Sequence, residues 1–392
     1  MSLAGVDWVV FGDDWGGHPS TTQHLILHLP PQDQVIWIDS IGMRSPGLKT
    51  QDLRRIGEKA RGIFRGGRST EDALYEGTVG RVVHVRPKVL PWHDRRAAIR
   101  FNRWSLGRSI ATEARRHDMR PSVLLASYPV IVRYLESVPY ERLYYLRLDD
   151  YAHYPGVDRS LVEATESRMY ELSDAVFATA RPLIPGEVRE KSHYLPQGVR
   201  VEHFATVPLE PPDGRVLGFF GTLASWLDFQ LIEDVARAVP DWTLEFLGQV
   251  DHFPSTLERL PNVRIVPRVA FSDLPTAISH WCAGWIPFAI NTLTIGVNPL
   301  KAREYLAAGL PTHCTPLPEA EDLRDRILVT SEAAHVVRWL RSEVMHDSRE
   351  ARRSRRESVR ADSWAARAET LRSVVTRPDD HSNEGMKMGA KG

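Results

Sequence analysis

Short apolar runs recur along this chain, and stretches of helical length with mixed polar and apolar residues lie between them. Strands that alternate with helices in this way are typical of parallel sheets covered by helices on both faces. The first series of predicted strands lies at 6–12, 34–40, 81–87, 122–128, 142–150 and 174–180. The second series lies at 215–221, 242–248, 262–268 and 282–288. The pattern predicts an α/β protein with two parallel sheets.

A proline-rich stretch at 207–214 separates the two series and has the composition of an interdomain linker. It divides the chain into a predicted N-terminal domain at 1–206 and a predicted C-terminal domain at 215–360. Each of these lengths is ordinary for a single α/β domain.

The chain from about residue 345 onward is rich in arginine and predicts a solvated helix with few core positions. A final helix over 361–377 is expected to pack back on the domains, because four apolar residues follow at helical spacing. These are Trp364, Ala368, Leu371 and Val375. The last residues, 378–392, have the polar composition of a disordered tail.

Length and charge limit the classes of protein to which this chain can belong. At 392 residues the chain exceeds the roughly 250–300 residues at which single cores stop growing. Its 50 Lys and Arg balance 50 Asp and Glu, so no net charge favours nucleic acid. No apolar run approaches the ~20 residues needed to cross a bilayer, and the N-terminus lacks the features of a signal peptide. We therefore expect a cytoplasmic protein that does not bind nucleic acid.

Loops that follow the strands are the expected ligand sites, because ligands of open α/β sheets bind beyond the carboxyl ends of the strands. The first such loop contains Asp13 and His18, which could act on an acceptor, and Gly16 and Gly17, which permit close approach to the backbone. The loop lacks the GxGxxG pattern of dinucleotide-binding proteins. The alternative is an ordinary turn in which Ser20 or its neighbour caps the following helix.

Two further loops carry candidate residues. Asp149, Asp150 and His153 follow the fifth predicted strand. Because side chains alternate in direction along an extended chain, at most one of the two carboxylates is expected to face a given site. A solvated surface pair is the alternative. The turn at Gly221 and Thr222 joins a strand to a helix, and its backbone amides could bind a phosphate or a sugar hydroxyl.

The segment at 287–319 carries the strongest local pattern. Asn298 is a favoured helix N-cap, and Pro299 fits the first helical position. Gly309 then fits the position just after a helix. Together these residues predict a short helix over 299–308.

The start of this helix is a predicted anion site. The free amides of Leu300 and Lys301, the positive end of the helix dipole and the Lys301 ammonium converge there, which would stabilise a pyrophosphate. Glu304 lies about one turn further on and could accept hydrogen bonds from two vicinal hydroxyls, such as those of a ribose. An ion pair within the helix, between Lys301 and Glu304, is the alternative role of the two charges.

Several motifs of this chain stand in an order shared with known proteins. Within the segment above they are Pro287-Phe288, Asn298-Pro299-Leu300-Lys301 and the run EYLAAGLP at 304–311. Elsewhere they are DAVFATA (174–180), YLPQGVRVEHF (194–204), GFFGTLASWLDFQLI (218–232) and FSDLPTAI (271–278). The chain thereby resembles GT-B glycosyltransferases of glycosyltransferase family 4, especially the bacterial envelope-polysaccharide enzymes related to the teichuronic acid transferases.

The resemblance implies two Rossmann-like domains whose parallel sheets face each other across a cleft. It implies a nucleoside-diphosphate sugar as donor, a UDP- or GDP-sugar, with no cofactor and no metal, and usually with retention at the anomeric carbon. Glu304 matches the family glutamate that holds the donor ribose, and 299–301 matches the region that faces the diphosphate. The predicted donor-binding residues are Gly221, Thr222, Asn298, Pro299, Leu300, Lys301 and Glu304.

The chain departs from the family at two places. Gly296 occupies the position at which relatives often carry a carboxylate that contacts the sugar. Other residues replace the Arg and Lys that many relatives carry after the first strand of the C-terminal domain; these are Thr222, Ser225, Trp226 and Asp228. Phosphate binding is therefore expected to depend more on backbone amides and on Lys301.

The stereochemistry decides which side chains take part in catalysis. A retaining transferase of this kind needs no protein nucleophile, because the leaving diphosphate can itself take the acceptor proton. An inverting transferase would need a general base on the N-terminal domain, and Asp13, His18 and Asp150 are the candidates. A nucleotide-sugar epimerase or hydrolase, and a degenerate transferase-like partner subunit, are the alternative classes on the same fold.

The arginine-rich segment at 48–65 predicts peripheral membrane contact. An apolar stripe at helical spacing is flanked by basic residues, a pattern typical of an amphipathic helix on anionic lipid. The stripe consists of Leu53, Ile56, Ala60 and Ile63. The alternative is a basic surface helix whose apolar side lies in the domain core. The expected acceptor is a saccharide, a lipid-linked saccharide or a small molecule.

Overall fold

The chain folds around two parallel sheets, of seven and six strands, with helices around them. This computed structural model describes residues 5–15, 20–42, 81–154 and 156–377. The predicted α/β class with two parallel sheets is confirmed. The predicted helix at 48–65 and the predicted tail at 378–392 lie outside the described residues.

The N-terminal sheet is parallel and has seven strands. Its strands are β1 (Asp7–Phe11), β2 (Gln34–Ile38), β3 (Val82–Val85), β4 (Val123–Ala126), β5 (Arg142–Arg147), β6 (Ala175–Ala178) and β7 (Ser192–Tyr194). They lie in the order β3-β2-β1-β4-β5-β6-β7. Trp8 and Val10 pack on one face while Val9 and Phe11 pack on the other, which explains the unbroken apolar run. The order reverses between β1 and β4, which is where ligands of such sheets bind.

The C-terminal sheet repeats this plan. Its strands are β8 (Val216–Phe220), β9 (Thr243–Leu247), β10 (Val263–Val266), β11 (Ala283–Ile286), β12 (Thr312–Cys314) and β13 (Leu328–Val329). They lie in the order β10-β9-β8-β11-β12-β13, which reverses between β8 and β11. The chain after β11 leads to the helix Leu300–Ala307. That helix therefore lies beside the expected ligand position of this sheet.

Every strand predicted from the apolar runs is present in the described chain, with slightly shorter bounds. The strands β7, β12 and β13 were not predicted. They have three, three and two residues, which is too short for an apolar pattern to stand out from its surroundings.

Helices cover both sheets. Those of the N-terminal sheet are Thr21–Leu27, Arg96–Arg116 and Arg159–Leu172. Those that follow are Val201–Phe204, Phe229–Ala238, Ser255–Glu258, Leu274–Ala277, Leu300–Ala307, Ala333–Ser342, Arg349–Ser358 and Trp364–Val375. Ser20 caps the first helix through a capping box with Gln23, which confirms the cap predicted for that loop. Within the described ranges, no helix is long and apolar enough to span a bilayer.

The last helix, Trp364–Val375, returns to the N-terminal sheet. Its apolar stripe is buried in the same cluster as Trp8 of β1. Arg372 of this helix donates to the two carboxylate oxygens of the buried Asp33, with Nε and Nη2 at 2.9 and 3.0 Å. The polypeptide thus crosses back from the C-terminal core to the N-terminal core.

The arginine-rich helix Arg349–Ser358 is mostly exposed, as its composition predicts, but Arg352, Arg355 and Arg356 have partners within the fold. Arg352 is fully buried. Arg355 and Arg356 donate hydrogen bonds of 2.9 and 3.1 Å to backbone carbonyls around the end of the helix Leu300–Ala307. Cations at this position satisfy the free carbonyl groups of the last turn and favour the helix dipole. Composition cannot distinguish such contacts from solvation, because both use the same residue types.

Candidate functional site

The helix Leu300–Ala307 is anchored between the two domains. Leu300 packs against the core of the N-terminal sheet, whereas Tyr305 is buried in the C-terminal core. The Tyr305 hydroxyl accepts a hydrogen bond of 3.1 Å from the Phe220 amide at the end of β8. Gly309, at φ +85°, ends the helix as predicted. The predicted helix is confirmed to within one residue at each end.

Asn298 does not cap this helix, contrary to the prediction. The N-cap is Pro299, which has no side-chain cap bond. The Leu300 amide donates to the Asn298 carbonyl at 2.8 Å, so it is not the free amide that we expected. The Asn298 side chain is held instead by Arg303 at 2.7 Å and by Glu319 at 2.9 Å. Asn298 is a favourable cap residue by type, but buried polar partners bind its side chain instead. Local sequence cannot show this, because the partners come from the tertiary structure.

Lys301 and Glu304 carry opposite charges about one helical turn apart, and Lys301 is half-buried whereas Glu304 is buried. Among the residues that the structure describes, neither side chain makes a hydrogen bond and the two do not form an ion pair. Burial lowers the pKa of Lys301 and raises the pKa of Glu304 to about 7, while their mutual attraction opposes both shifts. The alternative of an intrahelical ion pair is therefore not observed. The Lys301 ammonium lies 5.7 Å from the centre of the Phe219 ring. A buried carboxylate without a hydrogen bond is unfavourable and typical of ligand sites.

Lys301 reaches the turn that follows β8. A β-carbon at Gly221 would lie 2.6 Å from Lys301 Cε and 3.2 Å from Nζ. Gly221 has φ +139°, which side chains rarely adopt, so the turn requires glycine. Gly248, at the end of β9, lies behind it, and a β-carbon there would lie 1.8 Å from the Gly221 carbonyl oxygen. Gly248 was not predicted as part of the site, although its place directly after a predicted strand was an available signal.

The remaining residues of the turn take different roles. Thr222 is half-buried, and its hydroxyl has no partner in the described part of the chain. Asp228 caps the helix Phe229–Ala238, because its Oδ1 accepts a hydrogen bond of 2.9 Å from the Leu231 amide. A β-carbon at Gly296 would lie 2.9 Å from Leu183 Cδ2 of the N-terminal domain. A carboxylate at this position would therefore require Leu183 to move.

Glu319 joins the two domains beside the helix start, and it was not predicted from the sequence. It is 1% exposed and accepts hydrogen bonds from Asn298 Nδ2 at 2.9 Å, the Arg181 amide at 2.7 Å and the Tyr194 hydroxyl. Arg181 and Tyr194 belong to the N-terminal domain. The sequence indicated this role only in that Glu319 lies five residues after the end of β12 at Cys314. This carboxylate therefore ties the segment before the helix to the opposite domain.

Asp13 follows β1 at the reversal of strand order. One of its carboxylate oxygens accepts a hydrogen bond from the Tyr128 hydroxyl, and its backbone carbonyl accepts one of 3.0 Å from Trp37 Nε1. Burial and the neighbouring Asp13 charge raise the pKa of Tyr128. Asp13 is half-buried, and its second carboxylate oxygen has no partner among the described residues. Tyr128, which was not predicted, holds the carboxylate in place.

Asp149 and Asp150, which follow β5, contact different partners. Asp149 accepts a hydrogen bond of 2.5 Å from the Tyr154 hydroxyl, and burial raises the pKa of Asp149 to about 6 against that bond. Asp150 contacts His153 Nδ1 at 2.8 Å and lies 3.9 Å from Arg147. Of these two carboxylates, Asp149 therefore has a tyrosine partner like that of Asp13, whereas Asp150 was the one named among the candidate bases of an inverting reaction.

Gly16, Gly17 and His18 lie outside the described residues, and their roles on the acceptor side stay predictions. Within the described ranges, no three His, Cys, Asp or Glu side chains converge as ligands for a metal ion. Whether the reaction is independent of metal also stays a prediction.

Known proteins resemble this chain in sequence and in structure. No family model matches it. It is 29% identical over 185 residues to TuaH of Bacillus subtilis (strain 168), whose name assigns it to teichuronic acid biosynthesis as a glycosyltransferase. The match covers 42% of this chain and 46% of TuaH, which is less than half of that relative's length.

Solved structures match nearly the whole chain. HepE of Anabaena, in complex with UDP and glucose, has a TM-score of 0.64 at 10% identity over 95% of this chain and 99% of its own. The chain has the GT-B fold. Sucrose-phosphate synthase from Thermosynechococcus elongatus matches this GT-B chain with a TM-score of 0.59 at 13% identity, over 94% and 98% of the two chains. A protein of E. coli bound with UDP-2-fluoro glucose matches with 0.58 at 10% identity, over 95% and 99%.

Proposed function

We propose that this chain is a glycosyltransferase of family 4 that transfers a sugar from a nucleoside-diphosphate sugar to a hydroxyl of a saccharide or lipid-linked acceptor. The observation that carries the proposal is the pair of half-buried Lys301 and buried Glu304, whose side chains have no hydrogen-bond partners in the described chain. A donor supplies both partners, because its diphosphate pairs with the ammonium and its ribose hydroxyls donate to the carboxylate. The GT-B fold and the local match to TuaH support the same activity.

Three groups are positioned to bind the diphosphate. The Lys301 amide has no described partner and lies at the positive end of the helix dipole. The Lys301 ammonium gains a counter-charge when the donor binds, which reverses the effect of burial on its pKa. The turn at Gly221 and Thr222 presents backbone without a bulky side chain. Positive charge placed here stabilises the diphosphate as it leaves.

A uridine nucleotide is the first donor to test. HepE was solved with UDP and the E. coli protein with UDP-2-fluoro glucose, and both match almost the entire chain. GDP-sugars are the second choice. Since Gly296 offers no carboxylate to the sugar, the preference for one sugar over another must come from other residues.

We further propose retention at the anomeric carbon without a metal ion. In this route the leaving diphosphate takes the acceptor proton, so the protein has to position the two substrates and stabilise charge. Asp13 then orients the acceptor hydroxyl through its second carboxylate oxygen. An inverting reaction would use Asp13 as the general base instead. Asp150 is a weaker candidate for that role, because His153 contacts one of its carboxylate oxygens and the Arg147 guanidinium lies 3.9 Å from the other.

Titration calorimetry with UDP, uridine and 2′-deoxy-UDP tests the donor site. Glu304→Ala should weaken UDP and uridine alike, by roughly 10- to 100-fold, because a charge-assisted hydrogen bond contributes ~1.5–3 kcal/mol. It should also abolish the preference for ribose over deoxyribose. Lys301→Ala should weaken UDP far more than uridine and should slow transfer further.

Two surface variants serve as matched controls. Glu258→Ala and Lys88→Ala remove the same charges from exposed positions that have no described partners, and both should bind UDP like the wild type. Wild-type affinity or an unchanged ribose preference in Glu304→Ala would contradict the donor assignment. Nucleotide release without any acceptor would instead indicate a hydrolase or epimerase.

A thermal-shift panel with uridine, guanosine, thymidine and adenosine diphosphates identifies the base. A ligand at 100 times its dissociation constant adds ~2.7 kcal/mol of stability, which is readily measured. No shift with any of the four would favour the degenerate partner subunit.

A further inference from the structure

The outer face of the helix Arg96–Arg116 exposes aromatic side chains that neither the core nor the donor site explains. Trp104 is 61% exposed and Phe101 is 37% exposed. Their ring centres lie 5.8 Å apart, so the two form one patch. The same helix buries its opposite side through Ala98, Asn102, Leu106 and Ile110. Two exposed aromatic rings in contact with each other favour an interaction surface.

The two aromatic residues line a surface hollow together with neighbouring arginines. Arg96, Ala97, Arg100, Phe101 and Trp104 line a hollow of about 550 Å³. The spacings of three and four residues place these side chains on one side of the helix. Apolar and basic groups are thus combined on one helix face.

The charge of this face is unbalanced. From Arg95 through Thr112 the sequence contains no Asp or Glu. In the part of the chain that the structure describes, Arg96, Arg100 and Arg108 have neither an ion pair nor a side-chain hydrogen bond. Unpaired arginines around an apolar stripe are complementary to a surface whose outer layer is anionic and whose inner layer is apolar.

We propose that this aromatic–arginine face, formed by Arg96, Arg100, Phe101, Trp104 and Arg108, docks the protein on an anionic lipid bilayer. Tryptophan and phenylalanine would enter the region between headgroups and acyl chains, where an aromatic ring is stable. The arginines would bind lipid phosphates above them. A lipid surface is favoured over nucleic acid because the apolar stripe gains nothing from phosphates alone. The proposal goes beyond the transfer reaction and does not depend on it.

Vesicle flotation of the full chain tests this docking without any turnover. The wild type should float with phosphatidylcholine vesicles that contain about 30% phosphatidylglycerol, and not with phosphatidylcholine alone. Raising the salt to about 0.5 M should weaken binding, because the Debye length then falls well below 8 Å. Free glycerol phosphate should not displace the protein, which separates a bilayer from a site for a soluble phosphate.

Two double variants separate the apolar and basic contributions. Arg96→Gln with Arg100→Gln should lower the partition coefficient by about 30-fold, since each basic residue near the surface contributes about fivefold. Phe101→Ala with Trp104→Ala should lower it by about 10-fold or more. Because all four residues are exposed, thermal unfolding and UDP affinity should remain as in the wild type.

The matched controls remove similar groups from other faces. Arg268→Gln with Arg338→Gln removes the same charge from exposed positions of the C-terminal domain, and Leu172→Ala removes a side chain that is 40% exposed. Both controls should float like the wild type. A wild type that fails to float with anionic vesicles overturns the proposal. So does flotation that both helix variants retain, that the control arginines weaken equally, or that glycerol phosphate abolishes.

Discussion

The aliphatic end of Lys301 lies over Gly221, so that a β-carbon at position 221 would fall 2.6 Å from the lysine Cε. Gly221→Ala should therefore displace the ammonium from the turn that receives the diphosphate. We expect the affinity for UDP to fall about 10-fold or more, as after loss of a charge-assisted bond. Titration calorimetry measures this change.

Gly42→Ala is the control for that variant. Gly42 also has a positive φ, of +80°, but a β-carbon there meets nothing within 4 Å. It should lose about 1 kcal/mol of stability through backbone strain while it binds UDP normally. Equal losses of affinity in both variants would mean that backbone strain, not contact with Lys301, weakens the donor site.

Glu304 should make the stability of the unliganded protein depend on pH. Its pKa is raised by burial from 4.5 to about 7, so the unfolded chain releases the proton at lower pH than the folded protein does. The contribution of this group to stability is present below about pH 4.5 and is lost as the pH rises to about 7. Glu304→Gln should lose less stability than the wild type between pH 5 and 8, by up to about 3 kcal/mol. Urea denaturation at both pH values measures the difference.

A surface variant isolates this effect from the other titrating groups. Glu258→Gln, at an exposed position, should keep the pH dependence of the wild type. If Glu304→Gln and the wild type give parallel curves, Glu304 titrates normally in the folded protein.

Asp13 should act on the acceptor and not on the donor. If it is the general base, Asp13→Asn should lower the transfer rate roughly 100-fold or more and leave UDP affinity nearly unchanged. Tyr128→Phe should give a smaller loss, of about 10-fold, because it removes only the hydroxyl that orients the carboxylate. Steady-state rates at saturating donor, together with calorimetry, separate the two effects. A parallel loss of UDP affinity would remove Asp13 from the acceptor side.

Asp149 is the competing base, because its pKa is raised to about 6. If Asp149 accepts the proton, the rate should rise through about pH 6 as the carboxyl ionises, and Asp149→Asn should remove that step. A pH–rate profile of both Asp variants therefore identifies which carboxylate takes part.

The buried Asp33–Arg372 ion pair should hold the last helix on the N-terminal sheet. Arg372→Met leaves the fully buried Asp33 carboxylate without its counter-ion, so unfolding should become easier by about 3–5 kcal/mol. Arg360→Met is the matched control, since it removes an exposed pair with Glu357 that contributes no more than about 1 kcal/mol. Equal midpoints of urea unfolding for the two variants would contradict this role.

The apolar runs were enough to predict two parallel sheets and ten of their thirteen described strands. The strand β1 is apolar from Trp8 to Phe11 because its side chains enter a core on both faces, as those of Trp8 and Val9 do. The helix after β11 was equally predictable, since Gly309 ends it through its own backbone conformation. The helix Arg349–Ser358 is mostly solvated as predicted, but the contacts of Arg355 and Arg356 with backbone carbonyls could not be predicted, because a carbonyl partner has no sequence signature.

The sequence by itself determined the two α/β halves, the strands and the placement of Lys301 and Glu304 one helical turn apart, because backbone periodicity and local chemistry set these features. Only the tertiary structure decided which residues surround these groups. The Asn298 side chain donates to Glu319 and does not cap the helix, and the Tyr128 hydroxyl donates to Asp13. Gly248 lies so close to the Gly221 carbonyl that a side chain would not fit there. These contacts join residues from different strands and domains, and their free energy depends on burial and distance that exist only once the chain has folded.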